Sequence, residues 1–243
     1  MIKQLLTVII GVGWVNVSNA QVTLSDTSLE KKTTFAVNYY NKNISEQAEI
    51  YNGPEYNFLP RSAKGTPFLD DKYDLSNATL RYNGIWYTDI PLLYDIYKDI
   101  LVGTQPQYKS SFILQEQYVT DFFLLGHHFV HVPAIDNNKG KLREGYYEQL
   151  YAGKSIVMCK YEKIRIETIN TQGVDVTFFD KQTYYINKGG TIYNVSSKGS
   201  VLDVFKDKKN ELNSYLKTKE IDFKENKGLA MAKIAAYYDQ ISN

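Results

Sequence analysis

Hydrophobic and polar positions alternate over much of this chain, and turn residues punctuate the alternation. Ala78-Thr79-Leu80-Arg81-Tyr82 and Ile85-Trp86-Tyr87-Thr88-Asp89-Ile90 flank Asn83-Gly84, the dipeptide that best accepts the positive φ angles of a two-residue type I′ turn. A tight hairpin is predicted there. Further on, Tyr146 to Tyr151 leads through Ala152-Gly153 into Ser155 to Thr168, and Asn170 to Gly173 turns the chain into Val174 to Phe179. Thr183 to Asn187 then turns at Lys188-Gly189-Gly190 into Thr191 to Ser196. These runs predict an antiparallel meander. Phe112 to Gln115, Gln117 to Leu125 and His128 to Val132 read as additional strands. Leu92 to Val102 fits helical and strand periods alike. It is assigned to strand, because the Asn83-Gly84 hairpin feeds into it and Pro91 breaks the run before it.

Helical spacing is confined to the ends. Leu29, Ala36, Tyr40, Ile44 and Ala48 recur at helical intervals and stop near Asn52-Gly53-Pro54. Two helices are predicted at the C-terminus. One is capped by Ser200, with Val201, Phe205, Leu212 and Leu216 on its apolar face; the other is capped by Asn226, with Leu229, Ile234, Tyr237, Tyr238 and Ile241 inward. The expected fold is therefore α+β: a curved, mainly antiparallel sheet, a meander able to form a half-barrel, with an N-terminal helix and two C-terminal helices. The 21 tyrosines, against 11 Phe and 2 Trp, agree with it, since aromatic residues favour half-buried pleated surfaces.

The first twenty residues alter the picture. Lys3 gives a cationic start, Leu5 to Val17 is largely apolar, and Ser18-Asn19-Ala20 offers the small residues read by a signal peptidase. The expectation is a signal peptide over residues 1–20, cleavage near Ala20, and a single α+β domain over 21–243, periplasmic or secreted. Gly11, Gly13 and Asn16 interrupt the apolar run, which is shorter than the roughly 20 residues a membrane helix requires, so no transmembrane span is expected. Gln21, not cysteine, follows the expected cut, which argues against a lipid anchor. With Cys159 as the lone cysteine, no internal disulfide can form and cohesion must come from packing.

Charge is nearly balanced, with 28 basic and 27 acidic residues. Nucleic acid is not an expected partner, because its recognition calls for a basic face or stripe. No nucleophile elbow or phosphate-binding glycine loop occurs, and no cofactor is expected. Cys159, in an alternating run, reads as a structural thiol.

Two groups of residues invite a chemical reading. His127, His128 and His131 cluster, but on a strand His127 and His131 lie about 13 Å apart, too far to share one ion without help from another strand, so no metal site is assigned. Asp70-Asp71-Asp74, Asp95 with Asp99, and Glu144 with Glu148 are possible carboxylate pairs; Asp95 and Asp99 stand out because their surroundings are apolar. No catalytic residue is designated. The favoured ligand surface is aromatic: Tyr51, Tyr56, Tyr82, Trp86 and Tyr87, placed near turns where rings can be exposed.

Tyr51-Asn52-Gly53-Pro54-Glu55-Tyr56, Tyr82-Asn83-Gly84-Ile85-Trp86-Tyr87 and Leu93-Tyr94-Asp95-Ile96 resemble segments of uncharacterised exported β-rich envelope proteins of Gram-negative bacteria. The resemblance implies an envelope setting and lends no catalytic residues. The expected function is that of an exported, non-enzymatic binding or accessory protein whose partner is an apolar ligand, a glycan or an envelope protein. The alternatives are an envelope hydrolase using Asp95 and Asp99 or the His127 to His131 cluster, and a structural subunit of an envelope complex.

Overall fold

The computed structural model describes residues 49–59, 62–105, 109–137, 140–171 and 173–242. The expected signal peptide and N-terminal helix lie outside these residues. Ten strands form one open antiparallel sheet: β1 (Ser76–Tyr82), β2 (Ile85–Asp95), β3 (Ile100–Thr104), β4 (Ser111–Ile113), β5 (Val119–Leu124), β6 (His127–Val132), β9 (Gly145–Ala152), β10 (Ser155–Asn170), β11 (Gly173–Lys188) and β12 (Thr191–Val195). Their spatial order is β12-β11-β10-β9-β6-β5-β1-β2-β3-β4. A small hairpin of β7 (Ile135–Asn137) and β8 (Gly140–Leu142) forms a second, two-stranded sheet. Three helices follow: α1 (Lys198–Val204), α2 (Lys209–Thr218) and α3 (Lys227–Ile241).

The Asn83-Gly84 hairpin forms as expected, with φ of 49° and 78° at the two turn residues and Tyr82 opposite Ile85. Pro91 does not break the run. It pairs with Asn77 inside β2, at a point where β3 has not yet begun its ladder with Leu92, so the missing N–H leaves no bond unmade on that side. Leu92 to Val102 is likewise not one strand; Ile96 to Asp99 turn the chain between β2 and β3. Val174 to Phe179 and Thr183 to Asn187 merge into the single 16-residue β11, which runs unbroken against β10.

The first C-terminal helix is capped by Ser197 rather than Ser200, although Ser200 supplies the return bond of the capping box, and it ends at Phe205, so a second helix carries Leu212 and Leu216. Asn226 caps the last helix as expected, accepting from Leu229 N at 2.9 Å. Leu229 itself is about half exposed, whereas Ile234 and Tyr238 are buried.

The sheet bends over one of its faces. Tyr94 on β2 and Tyr146 on β9 are four places apart in the strand order, roughly 19 Å along a flat sheet, yet their rings meet edge to face at 5.8 Å. Phe122 and Phe129 stack at 4.9 Å between them, and Leu80, Tyr82 and Leu92 complete this core. At the other end of the same sheet the three helices bury Val201, Phe205, Leu212, Met231 and Ile234 against Val157, Ile186 and Val195.

Residues 49–59 and 62–75 run as a strap across distant strands. Near its start Tyr56 N donates to Ser111 O on β4 at 2.9 Å; further on Lys64 N donates to Val176 O at 2.8 Å and Phe178 N donates to Lys64 O at 2.9 Å on β11, and Phe68 bridges to Asp95.

Candidate functional site

His127 opens β6 just after the tight Leu125-Gly126 turn, and Glu148 lies mid-strand on β9, opposite Phe129 on one side and Cys159 on the other. That register brings His127 Nδ1 to 2.7 Å from Glu148 Oε1. The second carboxylate oxygen accepts from the Tyr161 hydroxyl of β10 at 2.9 Å. Both oxygens of a nearly buried carboxylate are thus occupied by protein groups, as a buried acid requires. On its outer side, His127 Nε2 lies 3.6 Å from Asp70 of the strap.

The electrostatics follow from this geometry. The hydrogen bond to Glu148 raises the His127 pKa above its ordinary 6.5, against the opposing pull of burial. Burial, with the Glu148 charge second, pushes the Tyr161 phenol well up, so it stays a neutral donor. The Cys159 thiol is pushed up chiefly by burial, which fits the structural role read from its strand.

These groups face a cavity of about 580 Å³, a size usual for small-ligand sites. His127, Glu148 and Tyr161 form one wall, with Leu150, Gln182 and Tyr184 beside them; Lys224 to Leu229, at the start of α3, form the roof. Gly228 lets the helix approach, since a Cβ there would press within 3.2 Å of Leu150 and 3.6 Å of Tyr184. The described lining includes no serine, threonine or cysteine. The polar groups at hand for a guest include the Gln182 amide nitrogen and the ammonium groups of Lys224 and Lys227 as donors, with the Glu225 carboxylate as an acceptor.

The other candidates are placed differently. Asp95 is fully buried and accepts from Tyr56 OH at 2.8 Å and from the backbone N–H groups of Tyr97 and Lys98, holding the β2–β3 turn. Asp99 instead pairs with Lys160 and Tyr94. The two carboxylates have separate partners. His131 lies 3.6 Å from Glu144 and beside the ring of Tyr146, and His128 stacks on Phe123 at 4.2 Å, so the three imidazoles point to three different partners.

The aromatic five do not gather into one exposed surface. Tyr56, Tyr82 and Tyr87 are core residues; Tyr51 is half-buried against Phe112, and Trp86 packs on Phe123 at 6.2 Å on another part of the sheet. Turn proximity misleads here, because the strap and the bent sheet cover the rings. What sequence reading missed is the meeting of His127, Glu148 and Tyr161. The one signal was parity: Glu148 shares the inward face of β9 with Tyr146, and Tyr161 shares that of β10 with Cys159.

No protein-family model, curated protein or solved structure matches the chain. Among the described residues no helix is long and apolar enough to cross a membrane.

Proposed function

We propose that this chain is an exported, non-enzymatic binding protein of the bacterial envelope, and that its ligand is an acidic saccharide held in the cleft between the sheet and α3. One observation carries the reading: Glu148 spends both oxygens on His127 and Tyr161, leaving a donor-rich cavity rather than a free general base. Hydroxyl and carboxylate groups of a sugar accept from such donors, and the rings of Tyr161 and Tyr184 offer apolar walls for its C–H faces. An apolar ligand fits poorly, since it would strip water from Lys224, Lys227 and Glu225 without replacing it. The open, bent sheet supports the half-barrel description, and the leader-like first twenty residues support export.

Binding is tested on an array of acidic and neutral saccharides, followed by calorimetry. Acidic saccharides bind in the expected case, and Glu148→Gln weakens them at least about tenfold, or about 1.4 kcal/mol, by releasing His127 and Tyr161. Failure of every saccharide, or recovery of a tightly held lipid from the native source, overturns the ligand assignment. Turnover of a bound saccharide selects the hydrolase reading, with His127 and Glu148 in place of Asp95 and Asp99. N-terminal sequencing of the exported protein tests processing, with Gln21 as the expected first residue.

A further inference from the structure

Past Cys159 the strand β10 leaves its neighbour β9, and from Ile164 to Asn170 its outer side has no backbone partner among the described residues. Parts of other strand sides are covered among the described residues. The strap pairs with β4 at Tyr56 and with β11 at Lys64, and the hairpin strand β8 presses on β12 at Ile192. The β10–β11 arm is also unusually apolar for a solvated element: Ile164, Ile166 and Phe179 are about half exposed on one face, and Ile169 is 84% exposed near the tip. A long, flat, apolar strand edge is a template for pairing unless something blunts it. Ile164-Arg165-Ile166-Glu167-Thr168 carries no proline and no bulge against β11, and its two charges, Arg165 and Glu167, are of opposite sign.

We infer that this edge pairs with the same edge of a second copy of the chain, antiparallel and centred on Ile166, to form a symmetric dimer through a continuous four-stranded ribbon. The occupant follows from the charge pattern. Centring on Ile166 sets Arg165 opposite Glu167 of the second copy and Glu167 opposite its Arg165, so both cross-strand pairs are complementary. Ile166 meets its own equivalent, and Ile164 faces Thr168. Shifting the centre by one residue sets Arg165 or Glu167 against itself, so the register is selected as well as allowed. Arg165 already forms an ion pair with Glu167 of its own strand, and a second Glu167 would add an acceptor for the exposed end of its guanidinium. Steric room exists too. The pairing is antiparallel, so the two Cys159 positions where the arms leave their bodies lie about 14 residues apart, roughly 46 Å.

Sedimentation or light scattering of the full chain over the micromolar range tests this. The wild type is expected to show a concentration-dependent dimer. Arg165→Glu, which sets Glu against Glu twice, is expected to abolish it, and Arg165→Glu combined with Glu167→Arg to restore it with the charges exchanged. Register is read from thiols: with Cys159 buried, Ile166→Cys should give a disulfide-linked dimer under mild oxidation and Thr168→Cys should not. A wild type that stays monomeric throughout overturns the inference. So does a dimer that survives Arg165→Glu unchanged. Saccharide binding to the monomeric variants separates this result from the cleft assignment, because Arg165 and Glu167 do not line the cleft.

Discussion

The ammonium of Lys160 on β10 pairs with the carboxylate of Asp99 in the β2–β3 turn, joining by one ion pair two strands that are far apart in the sheet. Asp99 also accepts from the Tyr94 hydroxyl, and Lys160 Nζ donates to Tyr146 O at 2.9 Å. The two regions of the sheet that Tyr94 and Tyr146 bring together are thus also latched by a charge pair, between β10 and the β2–β3 turn, and Asp99 holds its place at a left-handed φ of 63°.

The latch is asymmetric. Lys160 is nearly buried, and burial depresses its pKa although Asp99 opposes the shift; Asp99 keeps about a quarter of its side-chain surface in water. Asp99→Ala strands a buried ammonium and is expected to cost about 3 kcal/mol, whereas Lys160→Met leaves a partly solvated carboxylate still bonded to Tyr94 and costs about 1 kcal/mol. Urea unfolding of the two variants checks the order. Equal losses would show that the pair contributes only through volume.

His127 makes stability depend on pH in a defined direction. Its folded pKa is raised by Glu148, so the stabilisation is fully present below the unfolded value of 6.5 and is lost as pH rises through the folded value. Denaturant unfolding of the wild type minus His127→Gln, across a pH series spanning that window, should give a difference that shrinks as the solution becomes more alkaline. A difference that grows instead would mean that the imidazole is held neutral and donates through Nδ1 alone.

Local chemistry was legible and long-range register was not. Asn83-Gly84 and Asn226 were readable because a positive-φ turn and a helix cap are decided within four residues. Pro91 misled because its effect depends on whether β3 runs alongside, and Phe205 because a buried ring ending α1 looks like any other apolar position of a continuing helix. The cleft needed more than pattern. Glu148 follows His127 by 21 residues and precedes Tyr161 by 13, and only the pairing of β6, β9 and β10 sets them side by side. Glu148 was weighed with Glu144, its neighbour in sequence, but Glu144 sits beside His131, largely in water.

Asp239 fastens α3 to the sheet. Its carboxylate accepts from Ser155 N at 2.9 Å, Ser155 Oγ at 2.8 Å and Tyr151 OH at 3.1 Å, where β9 turns into β10. Hydrogen bonds to a charged acceptor contribute more than neutral ones, so Asp239→Ala is expected to cost about 2 kcal/mol and to speed amide exchange at Ser155. Because the roof of the cleft is the opposite end of the same helix, saccharide affinity should fall in this variant more than in a surface control such as Lys233→Ala. Unchanged exchange at Ser155 would show the helix is held by its apolar face alone.

Gly53 and Gly84 offer a controlled comparison of two reasons for glycine. At Gly84 the backbone has φ of 78° and a Cβ would meet nothing within 4 Å, so Gly84→Ala carries only the left-handed penalty, about 1 kcal/mol. Gly53 needs no unusual φ, but a Cβ there would overlap the carbonyl oxygen of Ile113, the strand that the strap must reach for Pro54 O to accept from Ile113 N at 2.8 Å. Backbone cannot yield as a side-chain tip does. Gly53→Ala is therefore expected to displace the start of the strap, lose its bonds to β4 and expose Tyr56, at a cost of about 3 kcal/mol. Proteolysis separates the cases: Gly53→Ala should admit cleavage near residues 52–59 under native conditions, and Gly84→Ala should lower the melting temperature without opening that site. Equal protease resistance in the two variants would mean that the strap docks without this close approach.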